Sequence, residues 1–269
     1  MDVNVKLTSR QYDDQTSKNQ EESLTDQASY QKLIGKLLYL NMTKPDIFYN
    51  VQTLSQFLHQ PKKSHMDAAL RVAKYIKGQL GQGILLSSKC GTGITTYCDA
   101  DWAACPLTRK FVTGYVIKLG ESVVSWKAKK QTIVSRSSAE AEYRSLASIV
   151  AELVWLVGML KDLKAEIQLP VQVYSDNKSA IQLASNPVHH GCTKHIEIDC
   201  HFIREKLQQG LIKIVYISTQ NQPTDLLTKG LNKPQHDYLL SKLIIFAPPS
   251  LRGSIEIMEK KKDSKIKKV

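Results

Sequence analysis

The chain has 269 residues, 42% of them hydrophobic, and a net charge of +12. That composition supports a buried core and excludes a wholly disordered chain, while the spread positive charge suits a polyanionic partner such as nucleic acid. Five cysteines without a CxxC pair argue against a disulfide framework, MDVNVKLTSR lacks the apolar core of a signal peptide, and Ile149 to Leu160 is too short to span a bilayer, so the expectation is an intracellular protein of the cytoplasm or nucleus.

Residues 1–29 are polar and read as a leader; within it Tyr12-Asp13-Asp14 has no alternating apolar neighbours and reads as a solvated loop. Residues 30–90 read as helical. Tyr30 to Leu40 and Ile47 to Leu58 carry apolar residues at helical spacing, separated by Thr43-Lys44-Pro45-Asp46. Ser64 to Gly78 is a third predicted helix, with Ser64 as N-cap and Gly78 as stop. Its Arg71, Lys74 and Lys77 fall on one basic stripe suited to phosphate.

From Gly91 the texture changes to strands. Ile94–Asp99, Phe111–Leu119 and Ser122–Lys127 form a predicted meander, followed by a long helix from Ser137 to Leu163. A strand at Val171–Ser175, helices at Asn177–Ala184 and Thr193–Gly210, a strand at Leu211–Ile217 and a short helix at Pro223–Gly230 complete residues 91–235. This order implies an α/β domain with a mixed five-stranded sheet flanked by helices. Trp102, Trp126 and Trp155 are expected in the core. Residues 236–269 contain Pro248-Pro249, end in KKKDSKIKKV and read as a basic tail without fixed structure.

Four acids stand at strand ends or helix starts: Asp99, Glu142, Asp176 and Asp225. Ligands collect at such places in α/β sheets. Converging carboxylates repel one another unless a cation lies between them, and Mg²⁺ is a hard ion that takes oxygen ligands. A pair of such ions can activate water and stabilise the leaving oxygen of a phosphodiester. His189, His190, Cys192, His195, Cys200 and His201 fit no standard four-ligand zinc spacing.

The segments YCDADWAACPLTRKFVTGYV, VSWKAKKQTIVSRSSAEAEYRSLA, VYSDNKSAIQLASNPVHHGCTKHIEIDCHFIRE and STQNQPTDLLTKGL together resemble the ribonuclease H domain of copia-type retrotransposon Pol polyproteins. YQKLIGKLLYLNMTKPDI and LSQFL resemble the end of the preceding reverse transcriptase and its connection. The resemblance implies a C-terminal piece of such a polyprotein, with a ribonuclease H-like fold preceded by a small helical remnant. The protease, integrase and polymerase active sites have no counterpart in it. It further implies that Asp99, Glu142, Asp176 and Asp225 bind two Mg²⁺ ions, with Mn²⁺ as an alternative, and cut the RNA strand of an RNA–DNA hybrid. Glu140 competes with Glu142, but the two lie about 160° apart around a helix, and AEYRSL favours Glu142. Lys127, Lys129, Lys130 and Arg136 are candidate phosphate contacts, and Ser138 and Asn177 candidate sugar contacts.

The chain departs from the family pattern in three places. Ala104 stands where a glycine usually follows DADWA, Gly191-Cys192 replaces a charged pair, and ISTQNQPTD lacks the histidine that many ribonucleases H place near the last acid. The alternative reading is a catalytically inactive nucleic-acid-binding relic. An integrase-like strand transferase is disfavoured because the glutamate comes second among the acids.

Overall fold

Apolar residues at helical spacing build the first part of the chain. In the computed structural model, which describes residues 7–16, 25–79, 81–87, 91–106, 108–185, 196–243 and 245–246, this part forms α1 (Arg10–Gln15), α2 (Gln27–Leu40), α3 (Phe48–Leu54) and α4 (Lys63–Gly78). The Asp26 carboxylate caps α2 by accepting from the Ala28 and Ser29 amides. Pro45 opens a 3₁₀ turn (Pro45–Ile47) ahead of α3, where its missing N–H is no loss. Tyr30, Ile34, Val51, Leu54, Ala69 and Val72 make a separate small core, and the Tyr30 hydroxyl donates to the Leu54 carbonyl at 2.8 Å.

Two expectations for this region change. The N-cap of α4 is Lys62 rather than Ser64, because Nδ1 of His65 accepts the Lys62 amide at 3.1 Å. The other ring nitrogen meets the Thr8 carbonyl at 3.1 Å. The polar leader is also partly docked, since Asp13 on α1 pairs with Lys62 at 2.6 Å.

After β1 (Gly83–Ile84), β-branched and aromatic residues form β2 (Gly93–Asp101), β3 (Val112–Leu119) and β4 (Ser122–Lys130). Then come α5 (Ser138–Asp162), β5 (Gln168–Ser175), α6 (Lys178–Ser185), α7 (Glu197–Gln208), β6 (Ile212–Tyr216), α8 (Asp225–Thr228), α9 (Lys233–Lys242) and β7 (Ile245–Phe246). The sheet order is β4-β3-β2-β5-β6. The first three strands are antiparallel, and β5 and β6 join parallel to β2, so the sheet is mixed as predicted. β1 and β7 pair as a separate two-stranded ribbon.

Each face of the sheet buries different partners. On one, Tyr143, Leu146, Ile149, Val150 and Leu153 of α5 pack on β2, β3 and β5, joined by residues of α6 and α7. On the other, Val116, Val123 and Ala128 pack against Leu226, Leu227, Leu239 and Leu240 of α8 and α9. α5 is long and apolar enough to cross a membrane by length and composition, but eleven of its residues are buried in the fold.

Other boundaries move as well. β4 continues past its expected end at Lys127 to Lys130, so Lys127, Lys129 and Lys130 all lie on an edge strand. α9 crosses the expected boundary at 235, while 247–269, the greater part of the expected tail, lies outside the described residues. The helix expected from Thr193 is described from Glu197, and 193–195 lie outside the described residues. Trp102 and Trp155 are 45% and 61% exposed, not core; Trp126 is half-buried and donates its indole N–H to the Asn41 carbonyl at 3.1 Å.

One glycine sets how closely α8 can approach the sheet. A Cβ on Gly114 of β3 would stand 2.6 Å from Thr228 Cγ2 and 3.1 Å from Thr224 Cγ2. Gly114→Ala should therefore lift α8 and cost about 1–3 kcal/mol of stability, read as a lowered urea midpoint. An unchanged midpoint would mean that α8 is not seated on β3 as described.

Candidate metal centre

The centre is built from the middle of the sheet outward. Asp99 lies on β2 opposite Gly114, and its side chain is fully buried. Ser145 of α5 donates to the backbone carbonyls of Asp99 at 2.9 Å and Gly114 at 3.3 Å, which ties the long helix to the sheet at this level. Just beyond β2, the exposed Trp102 ring donates its N–H to the Ser135 carbonyl at 2.9 Å and holds the loop that leads into α5. The left-handed residue of this turn is Ala103, with φ 53°, so the alanine replacing glycine at 104 carries no such strain.

Ser137 caps α5 by accepting the Glu140 amide at 3.2 Å. Glu140 accepts in turn from the Arg136 amide at 2.9 Å and pairs with Arg144 at 3.2 Å. It is thus engaged at the helix start, while Glu142, 5% exposed, points to the acids. Asp176 follows β5, half-buried, and accepts from the Thr219 hydroxyl at 2.8 Å. Asp99, Glu142 and Asp176 each bring an oxygen into a group whose members lie within 4.8 Å of one another. Among the described residues this is the one cluster of three or more His, Cys, Asp or Glu able to hold a metal. Asp225 opens α8 and joins the trio through Lys229, whose Nζ is 2.9 Å from Asp225 Oδ1 and 3.0 Å from Asp99 Oδ1. The Thr228 hydroxyl donates to Asp99 Oδ2.

Packing like charges in a buried site shifts their protonation. Burial pushes the Glu142 carboxyl up to about 10, with the charges of Asp99 and Asp176 adding to it. Burial, then Asp99, raises Asp225 to about 7. Burial works against the Lys229 ammonium, but Asp99 and Asp225 outweigh it and hold the group above the usual lysine range. Glu142 Oε2 is buried without a hydrogen-bond partner. An unsatisfied carboxylate oxygen beside two more acids, all hard oxygen donors, fits a divalent cation such as Mg²⁺.

The other expected contact residues lie around this centre in different states. Lys127 and Lys129 are exposed on β4. Lys130 bonds Gln56 at 2.8 Å and Cys105 Sγ at 2.9 Å. Arg136 and Ser138 are exposed at the start of α5. Asn177 uses its side-chain oxygen to accept the Ala180 amide at 2.9 Å, capping α6. His189, His190, Cys192 and His195 lie outside the described residues. Sequence reasoning missed Thr219, Thr228 and Lys229. The lysine had a signal: in TDLLTK it stands four residues after Asp225, one helical turn on.

Three antiparallel strands extended by two parallel ones, with acids gathered at the end of the central strand and on the helices beside it, define a ribonuclease H-like fold. No protein-family model matches the chain. The retrovirus-related Pol polyprotein from transposon RE1 of Arabidopsis thaliana is 41% identical over 228 residues, 84% of this chain and 16% of that relative. That from transposon TNT 1-94 of Nicotiana tabacum is 34% identical over 217 residues, 80% of this chain and 16% of the relative. Among solved structures, a ribonuclease H1 isolated from compost covers 56% of this chain and 99% of its own, at 17% identity and a TM-score of 0.41. The chain belongs to the copia-type retrovirus-related Pol polyproteins of transposons, and it spans about a sixth of the length of these relatives.

The raised carboxyls make stability depend on pH in a definite direction. Glu142 and Asp225 bind protons more tightly folded than unfolded, so their contribution is full below about pH 4, where unfolded carboxyls titrate. The part due to Asp225 is lost as the pH rises through about 7, and the part due to Glu142 as it rises further towards about 10. Thermal melts in EDTA should fall across that window, and saturating Mg²⁺ should flatten the fall. A metal-independent profile would show that the acids do not share a cation.

Proposed function

We propose that this chain is a retrotransposon ribonuclease H that hydrolyses the RNA strand of RNA–DNA hybrids. The observation carrying this reading is the meeting of Asp99, Glu142 and Asp176 oxygens within 4.8 Å at one sheet end, with Asp225 beside them. These four acids would hold two Mg²⁺ ions, or Mn²⁺ in their place. When bound, such a pair activates water for attack on the phosphodiester and stabilises the leaving oxygen.

The chain's own residues set the conditions for that chemistry. Asp99 is fixed by burial and by the Thr228 hydroxyl, so it gives the site a rigid floor. Thr219 orients Asp176 through its 2.8 Å bond, on the more open side of the cluster. Glu142 keeps one oxygen uncommitted inside the site. Lys127 and Lys129 would meet phosphates along the edge strand, with Lys130 and Arg136 nearby. Ser138 and Asn177, at the starts of the helices that carry or follow the acids, would read ribose. Selection of the hybrid would rest on its A-like shape and its 2′-hydroxyls, which separate RNA from DNA. ISTQNQPTD carries no histidine near Asp225, so proton delivery to the leaving group would fall to water or to another group. The protein would work inside the cell, in cytoplasm or nucleus.

Incubated with a labelled RNA–DNA hybrid and Mg²⁺, the full chain should cut the RNA strand, and Asp176→Asn should slow cutting by ~10²-fold or more. Tight hybrid binding by the unaltered chain with no cutting would instead identify an inactive binding module.

The lysines are tested through salt. Replacing Lys127 and Lys129 together by alanine should reduce the slope of log affinity against log salt by up to about 2, roughly one per lost phosphate contact. An unchanged slope would remove them from the interface.

A further inference from the structure

Lys229 does more than the reading of the four acids requires of it. Its side chain is 30% exposed and its ammonium lies 3.0 Å from Asp99 Oδ1 and 2.9 Å from Asp225 Oδ1. It is held there from the end of α8, where the helix places it one turn after Asp225. Its positive charge also reaches Glu142, where it opposes the upward push from Asp99 and Asp176. One lysine thus supplies positive charge to a set of four acids that would otherwise repel one another.

A divalent cation drawn to those acids needs the same oxygens. Two cations sharing Asp99 Oδ1 and Asp225 Oδ1 would come within a few ångströms of each other in a poorly screened site, where like charges repel strongly. Occupation by the ammonium and by the metal is therefore mutually exclusive or strongly opposed.

The structure also offers the lysine somewhere to go. Lys229 lines a cavity of about 370 Å³ between α3, α4, α8 and α9. The same cavity is lined by Asp46, Tyr75 and Asp237. Asp46 is 3% exposed; one of its oxygens accepts from the Tyr75 hydroxyl at 2.9 Å, and Oδ1 has no hydrogen-bond partner. A buried carboxylate oxygen without a hydrogen-bond donor, in a cavity that Lys229 lines, offers a second resting place for its ammonium group.

We propose that Lys229 is a stand-in cation. It occupies the acids when divalent ions are scarce and withdraws into the Asp46 cavity when they bind, which makes the site a threshold device for divalent ions. This inference rests on the reading of the four acids as a divalent-cation site, and it adds a built-in competitor to that site. A lysine that merely braced the fold would have the opposite signature: its loss would loosen the acids and weaken metal binding.

The test uses Mn²⁺ as probe and the full chain. Calorimetric titration should show Lys229→Met binding Mn²⁺ about tenfold more tightly than the unaltered chain, within the usual range for coupled sites. Its metal-free melting point should be lower and its gain on adding Mn²⁺ larger. In the unaltered chain, labelling of Lys229 by an amine-reactive reagent, read by mass spectrometry, should rise several-fold when Mn²⁺ is added. That second measurement decides the matter even if the variant fails to fold. Equal or weaker Mn²⁺ binding by a folded Lys229→Met, or labelling indifferent to Mn²⁺, overturns the stand-in role while leaving the metal centre intact. No Mn²⁺ uptake by the unaltered chain overturns both.

Discussion

The constraint on which the structure turns is the burial of Asp99. A carboxylate with no exposed surface must be met by donors on every side it presents. Thr228 and Lys229 meet it, and both come from one short helix. α8 has four residues, too few to be stable on its own. It is held because Leu226 and Leu227 fill the second face of the sheet and because Gly114 leaves room for Thr228. Core packing and the satisfaction of one buried charge are therefore the same event.

That event extends into the helical unit that precedes the sheet. α3 packs against α8, and Trp126 and Lys130 of β4 bond to Asn41 and Gln56 of the helical part. The helices of residues 25–79 have their own small core, yet one of their cavities borders Lys229. They act as a buttress behind the acids rather than as an independent appendage. A change in that cavity can thus reach the centre through the lysine without altering any acid.

Much of this was legible in the chain. β2 and β3 announce themselves by β-branched and aromatic runs, and the acids by their place at the ends of such runs. The choice of Glu142 over Glu140 came from the resemblance of AEYRSL to the family's helix start, helix geometry showing only that the two face different ways, and the structure adds that Glu140 is engaged with Arg136 and Arg144. What escaped was tertiary. Trp102 and Trp155 are large and apolar, but hydrophobic size says only that a residue can be buried, and Trp102 serves through its N–H instead. The N-cap of α4 depends on a histidine that accepts a backbone amide, which no cap preference for serine would reveal. β4 outruns its predicted end because Lys127, Lys129 and Lys130 are poor strand formers by composition, yet β3 supplies their ladder partners.

The cluster breaks the local rules that the rest of the chain obeys. Two of its acids have raised affinity for protons, one oxygen is unpaired, and a single lysine bridges two of the four. Well-packed apolar residues in place of a buried charged group are often as stable or more so, so stability alone gives no reason for Glu142 to be an acid. A lone surface acid can be dismissed as solvated charge, but a buried one beside three others cannot. It is destabilising until something positive is supplied, and here the protein supplies only part of it. The residual demand for positive charge among these buried acids is what a divalent cation would satisfy.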